Sequence, residues 1–106
     1  MKYRINYEAT ADWDFETIRA YFMETEGSID IADKIIGKIV RRGYDLKNTP
    51  RMYKFCEYCP DFRQFTESGY LVLYLINEET HVVEIHHIWH GMRNIKALIE
   101  SKRGIG

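Results

Sequence analysis

Apolar and polar residues alternate strictly at the start of the chain, with Tyr3, Ile5 and Tyr7 set against Lys2, Arg4 and Asn6. This period of two predicts a half-buried strand over residues 2–7. The period then lengthens. Phe15, Ile18 and Phe22, with Tyr21 beside them, recur at helical spacing and turn one stripe toward a core. Thr10, Asp12 and Asp14 offer N-cap oxygens for this helix, and Gly27 predicts its end. A second helix opens at Ser28 or Asp30. Its apolar positions Ala32, Ile35, Ile36, Ile39, Val40, Gly43 and Leu46 repeat at three and four residues until Thr49-Pro50 stops it. Two helices joined by so short a turn form an αα-hairpin.

Beyond Pro50 the pattern changes. Residues 51–61 are irregular, with Pro60-Asp61 as a turn signal, and Phe62 and Phe65 flank a short candidate strand. After Gly69 comes the run Tyr70-Leu71-Val72-Leu73-Tyr74-Leu75-Ile76, apolar on both faces, as in a central strand covered on each side. Asn77-Glu78-Glu79-Thr80 breaks it, and a further strand runs from Val82 to Trp89, so residues 70–89 read as an antiparallel hairpin. Gly91 interrupts the pattern, and Ile95, Leu98 and Ile99 suggest a short final helix. The fold class is α+β: an N-terminal strand, an αα-hairpin, a three-stranded antiparallel meander completing one sheet, and a short C-terminal helix.

Composition narrows the class without naming a function. At 106 residues the chain is long enough for one domain with one core, and 45% apolar with 29% charged residues excludes disorder. No stretch has the ~18–20 apolar residues of a membrane span, and Met1 to Asn6 lack an apolar signal core, so the default location is the cytoplasm. A net charge of −1 argues against a surface that grips nucleic acid all over. The balance is locally uneven. Residues 8–26 carry six acids against Arg19 alone, and residues 34–54 carry seven bases against Asp45. Neighbouring helices so charged attract one another, or the basic one, with Arg41 and Arg42, receives an acidic partner.

Four histidines, His81, His86, His87 and His90, crowd one strand. Plain alternation places Glu84, His86 and His90 on one face and Val83, Ile85, His87 and Trp89 on the other, which makes His87 a core histidine. His90 ends the strand just before Gly91, where a side chain is rigidly based yet reaches solvent. Arg63 and Arg93 are candidate grips for phosphate or carboxylate, or exposed arginines over the sheet. Cys56 and Cys59 resemble half a zinc site, but His86 and His90 stand about 13 Å apart on an extended strand and cannot share one tetrahedral ion. The two cysteines read as reduced thiols, and no metal is expected. No phosphate loop, dinucleotide fingerprint, Ser-His-Asp spacing or paired carboxylates appears, so no cofactor is expected.

Taken in order, Phe62-Arg63-Gln64-Phe65, Gly69-Tyr70-Leu71-Val72-Leu73-Tyr74 and Val83 through His90-Gly91-Met92-Arg93-Asn94 resemble the C-terminal half of the RelE/ParE toxin superfamily. Asp14-Phe15-x-x-Ile18-x-x-Tyr21 is similar to its first helix. The resemblance implies the toxin of a type II toxin–antitoxin, or plasmid-stabilisation, module. One branch comprises ribosome-dependent messenger RNA endonucleases and the other poisons DNA gyrase. Leu71 stands where the endonucleases carry an arginine, and Phe62 and Gln64 fall near their lysines, whereas His90-Gly91-x-Arg93 looks more like the gyrase-directed branch. Asn94 replaces that branch's usual aspartate.

Three readings follow from the resemblance. A gyrase-directed toxin is a binding protein. A ribosome-dependent RNase is a metal-independent enzyme, with His90 as general acid, Arg63 and Arg93 as phosphate clamps and Glu84 as a distant base. A degenerate member only binds a partner. In each, a cognate antitoxin, partly helical and acidic, is the expected partner, alone or in a toxin–antitoxin hetero-oligomer, with a homo-oligomer as the alternative. Arg41, Arg42, Tyr70, Tyr74, His86 and Lys96 are the expected partner- or target-binding residues.

Overall fold

The computed structural model describes residues 2–91. The predicted final helix, with Arg93 and Lys96, lies outside the described residues. Strand β1 (Arg4–Tyr7) leads into helix α1 (Ala9–Glu26) and helix α2 (Asp30–Tyr44), which continues as one 3₁₀ turn over Asp45–Lys47. Strands β2 (Arg63–Glu67), β3 (Tyr70–Asn77) and β4 (Val82–His90) follow. The four strands form one sheet in the order β1-β4-β3-β2. The meander β2-β3-β4 is antiparallel, and β1 adds to β4 in parallel, pairing Ile5 with Val83 and Tyr7 with Ile85. Within the described residues, the predicted order of strand, two helices and three strands and the α+β class are those observed.

Both helices lie on one face of the sheet. Ala11, Phe15 and Ile18 of α1 and Ala32, Ile36 and Ile39 of α2 meet Val72, Tyr74, Val83, Ile85 and Ile88 in the main core. Val40, placed in the α2 stripe by its spacing, is instead exposed, since it falls beyond the edge of that stripe. The opposite face of the sheet is covered by the irregular segment after Pro50. There Cys56 and Cys59 pack with Leu71, Leu73 and Trp89, and Phe62 flanks them. This second layer explains why β3 is apolar on both faces. Both cysteines are reduced and buried.

Helix α1 begins two residues earlier than its first cap candidate, Thr10, suggests. Its N-cap is Glu8, and no side chain caps it. Thr10 and Asp14 are used elsewhere. The Thr10 hydroxyl donates to the His86 carbonyl at 2.5 Å, and the Asp14 carboxylate accepts the Ile88 N–H at 2.8 Å. Strand β1 ends opposite Ile85, so these two side chains satisfy the stretch of β4 edge that β1 leaves open. Gly27 adopts φ +71° and closes α1 by donating to the Met23 carbonyl, as expected of a left-handed C-cap.

The ladder between β3 and β4 slips between Leu73 and Tyr74: Leu73 faces His87, but Tyr74 faces Ile85. His86 is therefore the extra residue of a β-bulge. The bulge reverses the alternation that residues 82–90 would otherwise keep. Val83 and Ile85 face the helices, and beyond the bulge so do Ile88 and His90, while His87 and Trp89 face the other way. Plain alternation had grouped His90 with Glu84 and His86, and His87 with Val83 and Ile85. The inserted residue separates both groups.

Gly43 sits where α2 crosses β1. A Cβ there would lie 2.7 Å from the Tyr7 hydroxyl oxygen and 3.2 Å from Ile85 Cδ1. That hydroxyl is buried without a hydrogen-bond partner, and burial pushes its pKa up to about 12. Gly43→Ala is expected to cost about 1–3 kcal/mol by overpacking. Tyr7→Phe, which removes the oxygen in the way, should recover much of that loss in the double variant, as read by urea unfolding of all three chains.

The fully buried Tyr74 donates its hydroxyl to the Pro50 carbonyl at 2.8 Å, and burial raises its pKa to about 12. A folded pKa above the unfolded value of about 10 means stability is intact below pH ~10 and lost as the pH rises through about 12. Tyr74→Phe is expected to be less stable at neutral pH but to show a shallower alkaline decline, measured by denaturant unfolding across that window.

Candidate functional site

Among the described residues, the predicted site residues fall into three separate places, with His86 apart on the helix-free face and Tyr74 inside the core. The first is the end of the sheet near His90. Strands β2 and β3 are joined through Ser68 and Gly69, both at positive φ (54° and 83°), the two-residue turn that matches the twist of a hairpin. The Gly69 carbonyl accepts the Gly91 N–H at 2.7 Å and so ties the end of β4 to this turn. A Cβ on Gly91 would stand 2.9 Å from that same oxygen, so the tie requires glycine. His90 is fixed beside it, its ring edge-on to Tyr70 with centroids 5.3 Å apart. Between these strand ends and α1 lies a cleft of about 240 Å³. Asp14, Thr17 and Tyr21 line it from α1, and Tyr70, Ile88 and His90 from the sheet. Tyr70 is largely buried yet lines this cleft, whereas Tyr21 is 56% exposed at its rim.

The second place is the far side of β2. Arg63 donates from Nη1 to the Tyr53 carbonyl at 2.7 Å, and its guanidinium lies over the Phe55 ring at 4.1 Å. The residues before β2 close this edge: Phe55 bridges Arg63, and the Gln64 N–H donates to the Lys54 carbonyl at 2.9 Å. Arg63 thus latches the irregular segment to the sheet. It does not share a site with His90. Arg63 stands opposite Tyr74 and His90 opposite Tyr70, on the two sides of β3, and four residues of strand separate them by about 13 Å. Tyr74 itself, expected at a binding surface, is wholly buried, because even positions of β3 face the helices. That expectation is corrected: Tyr74 is a core residue.

The third place is the outer face of α2. Arg41 is exposed and, like Lys34 and Lys38, points away from the core stripe of Ala32, Ile36 and Ile39. Arg42 is partly occupied. It donates to Glu67 at 2.9 Å and to the Tyr53 hydroxyl at 3.2 Å, joining α2 to β2. The Tyr53 bond first, and then that to Glu67, push the guanidinium above its ordinary range. Arg42 in turn holds the Glu67 carboxyl below the usual carboxylate range. Among the described residues one ion pair joins the two helices, Arg19 of α1 to Asp33 of α2 at 3.1 Å, with the polarity opposite to that of the acidic and basic segments.

His86 lies on the helix-free face. Its Nε2 is 3.3 Å from Glu84 Oε1, and its ring packs edge-on against Phe62. His87, read as a core histidine, is half-buried with its ring 4.6 Å from that of Trp89. His90 is on the helical face and Cys56 and Cys59 on the other, so the strand-end histidine and the cysteines share no site. Sequence reasoning missed Asp14 as a contributor to the cleft. Its proximity to Ile88 follows from the packing of α1 across β4, not from any local spacing.

Comparison with known proteins supplies what geometry alone does not. No curated protein matches the chain. Among solved structures, a chromosomal ParDE toxin–antitoxin system from P. aeruginosa aligns with a TM-score of 0.70 at 16% identity, over 84% of this chain and 96% of that one. A substituted E. coli RelE toxin in the free state aligns at 0.65 and 16% identity, over 97% and 98%. The toxin–antitoxin complex RelBE2 from Mycobacterium tuberculosis aligns at 0.58 and 17%, over 85% and 99%. Likeness at such identities shows the shared fold. The family model described as the ParE toxin of the type II toxin–antitoxin system parDE matches residues 5–95, nearly the whole chain from β1 past the His90 cleft, and on that match the chain belongs to the ParE toxin family.

Proposed function

We propose that this protein inhibits growth by binding DNA gyrase and is neutralised by a cognate antitoxin. The observation that carries the choice of target is the apolar cover on the helix-free face of the sheet. Leu71, where the endonuclease branch has an arginine, is 6% exposed and packs with Cys56, Cys59, Leu73 and Trp89. A cleft that stabilises charge on a scissile phosphate needs converging cations. Here Arg63 is engaged by Tyr53 and Phe55, at a distance from His90. Among the described residues, the side chains support a surface that binds rather than one that cleaves. His90, Tyr70 and Tyr21, around the cleft at the sheet end, are the aromatic contacts offered to the target.

Arg41, with Lys34 and Lys38, offers a basic stripe on α2 to an acidic antitoxin segment. The relatives named above include toxin–antitoxin systems and complexes, and this supports an antitoxin as the partner. Among the described residues no helix is long and apolar enough to cross a membrane.

Purified protein is expected to inhibit supercoiling of relaxed plasmid by gyrase. Its induction in a bacterium should change plasmid topology before messenger RNA is cut. Messenger RNA cleavage with supercoiling unchanged would assign it to the endonuclease branch instead.

For the antitoxin, reversing Arg42 is a poor probe, since a glutamate there would face Glu67 and weaken the α2–β2 contact. Lys34→Glu with Arg41→Glu leaves that pair intact. The double reversal is expected to slow association about tenfold at low ionic strength and to flatten its salt dependence, as measured by stopped-flow mixing. Unchanged association would place the antitoxin on another face.

A further inference from the structure

Parallel pairing of β1 with β4 places Asn6 beside Glu84, and the chain then delivers Glu8, the N-cap of α1, next to His86. One ligand atom from each of Glu8, Glu84 and His86 lies within 4.8 Å of the others, and all three side chains are partly buried. Glu84 Oε1 and His86 Nε2 are 3.3 Å apart. Two metal–ligand bonds of about 2.0–2.2 Å at a tetrahedral angle separate their donor atoms by roughly 3.3–3.5 Å, so this pair already has the spacing of two ligands on one ion.

The charge of the cluster points the same way. Two carboxylates so close repel one another. Among the described residues, the lysine and arginine ion pairs engage Glu16, Asp33, Glu67 and Glu78, and neither Glu8 nor Glu84. Besides the His86 imidazole on Glu84, the two carboxylates receive neutral amide nitrogens, Asn6 to Glu8 at 3.1 Å and Asn77 to Glu84 at 3.3 Å. These amides orient the carboxylates, as outer partners of metal ligands do, and bring no positive charge of their own. Phe62 buttresses the imidazole from the side.

We propose that Glu8, Glu84 and His86 bind a divalent transition-metal cation of the zinc type on the helix-free side of the sheet. The imidazole selects against magnesium and calcium, which take oxygen ligands throughout. Three protein ligands leave at least one position for water or for a group from a partner. An ion there would tie the start of α1 to the middle of β4, so binding and fold stability are coupled.

The test uses the whole chain, stripped with a chelator and titrated with zinc by calorimetry and with cobalt by visible absorption. One equivalent per chain is expected, together with a zinc-dependent rise in melting temperature. Glu84→Gln and His86→Gln should each weaken binding at least ~tenfold and abolish the thermal shift, with circular dichroism confirming that both variants fold. The Cys56→Ser/Cys59→Ser variant should bind as the parent does. The proposal is overturned if no zinc is taken up, if uptake survives both the Glu84 and His86 changes, or if it disappears with the cysteines. None of these readouts depends on gyrase or antitoxin, so their outcome stands apart from the proposed function.

Discussion

Strand β4 has to be hydrogen-bonded on both edges, and only one neighbour is long enough to do it. Strand β3 accompanies it throughout, but β1 is four residues long and stops opposite Ile85. Thr10 and Asp14 of α1 complete the other edge by bonding the His86 carbonyl and the Ile88 N–H. A backbone group left unpaired away from water costs about 1–3 kcal/mol, which Asp14 avoids at the part-buried Ile88 N–H, and together the two contacts fix where α1 crosses the sheet. From that crossing follow the main core, formed by Phe15 and Ile18 against Val83 and Ile85, and the cleft into which Asp14, Thr17 and Tyr21 project.

The bulge at His86 is the second constraint. By inserting one residue it gives β4 two phases, each matched to what covers it. Before the bulge the odd positions meet the helices; after it the even positions do, which turns Trp89 toward Cys56 and Cys59 and His90 toward the cleft. A regular strand would have sent Trp89 into the helical core and His90 to the opposite face. The strand-end histidine is where a binding surface can use it because the ladder is irregular upstream.

Much of this was legible in the residues. The alternation of Tyr3, Ile5 and Tyr7, the helical spacing of Phe15, Ile18 and Phe22, and the two-faced apolar run of β3 each correspond to an observed element. The misreadings have physical causes. His86 and His87 are both amphipathic, so the phase slip between them leaves no mark in the hydrophobic pattern. Asp14 fits an N-cap by type, yet the open edge of β4 claimed it, a demand that exists only once β1 is known to be short. Tyr74 and Tyr70 are identical in composition and share a face, and differ in what lies above them: Pro50 and the core for one, a cleft for the other. Glu8 and Glu84 are far apart in sequence and meet through a parallel pairing that no local motif announces. The role of Arg63 depended on an irregular segment whose path had no periodicity to read.

The two covers of the sheet differ in kind. One is a pair of long helices sharing a continuous apolar core. The other is an irregular segment held by two buried thiols, an aromatic ring, the guanidinium of Arg63, the Tyr74 hydroxyl on Pro50 and a backbone bond from Gln64 to Lys54. Local opening in a folded chain starts where few apolar contacts and few backbone hydrogen bonds must break together. In this molecule that is the thiol side, so the protein should breathe asymmetrically, lifting its irregular cover while helices and sheet stay joined. Each such excursion bares Cys56, Cys59 and the indole of Trp89 to solvent without unfolding the chain. An oxidising or alkylating environment would therefore trap the opened form by modifying its thiols, and its effect on the protein would be governed by how often the Arg63 latch lets go.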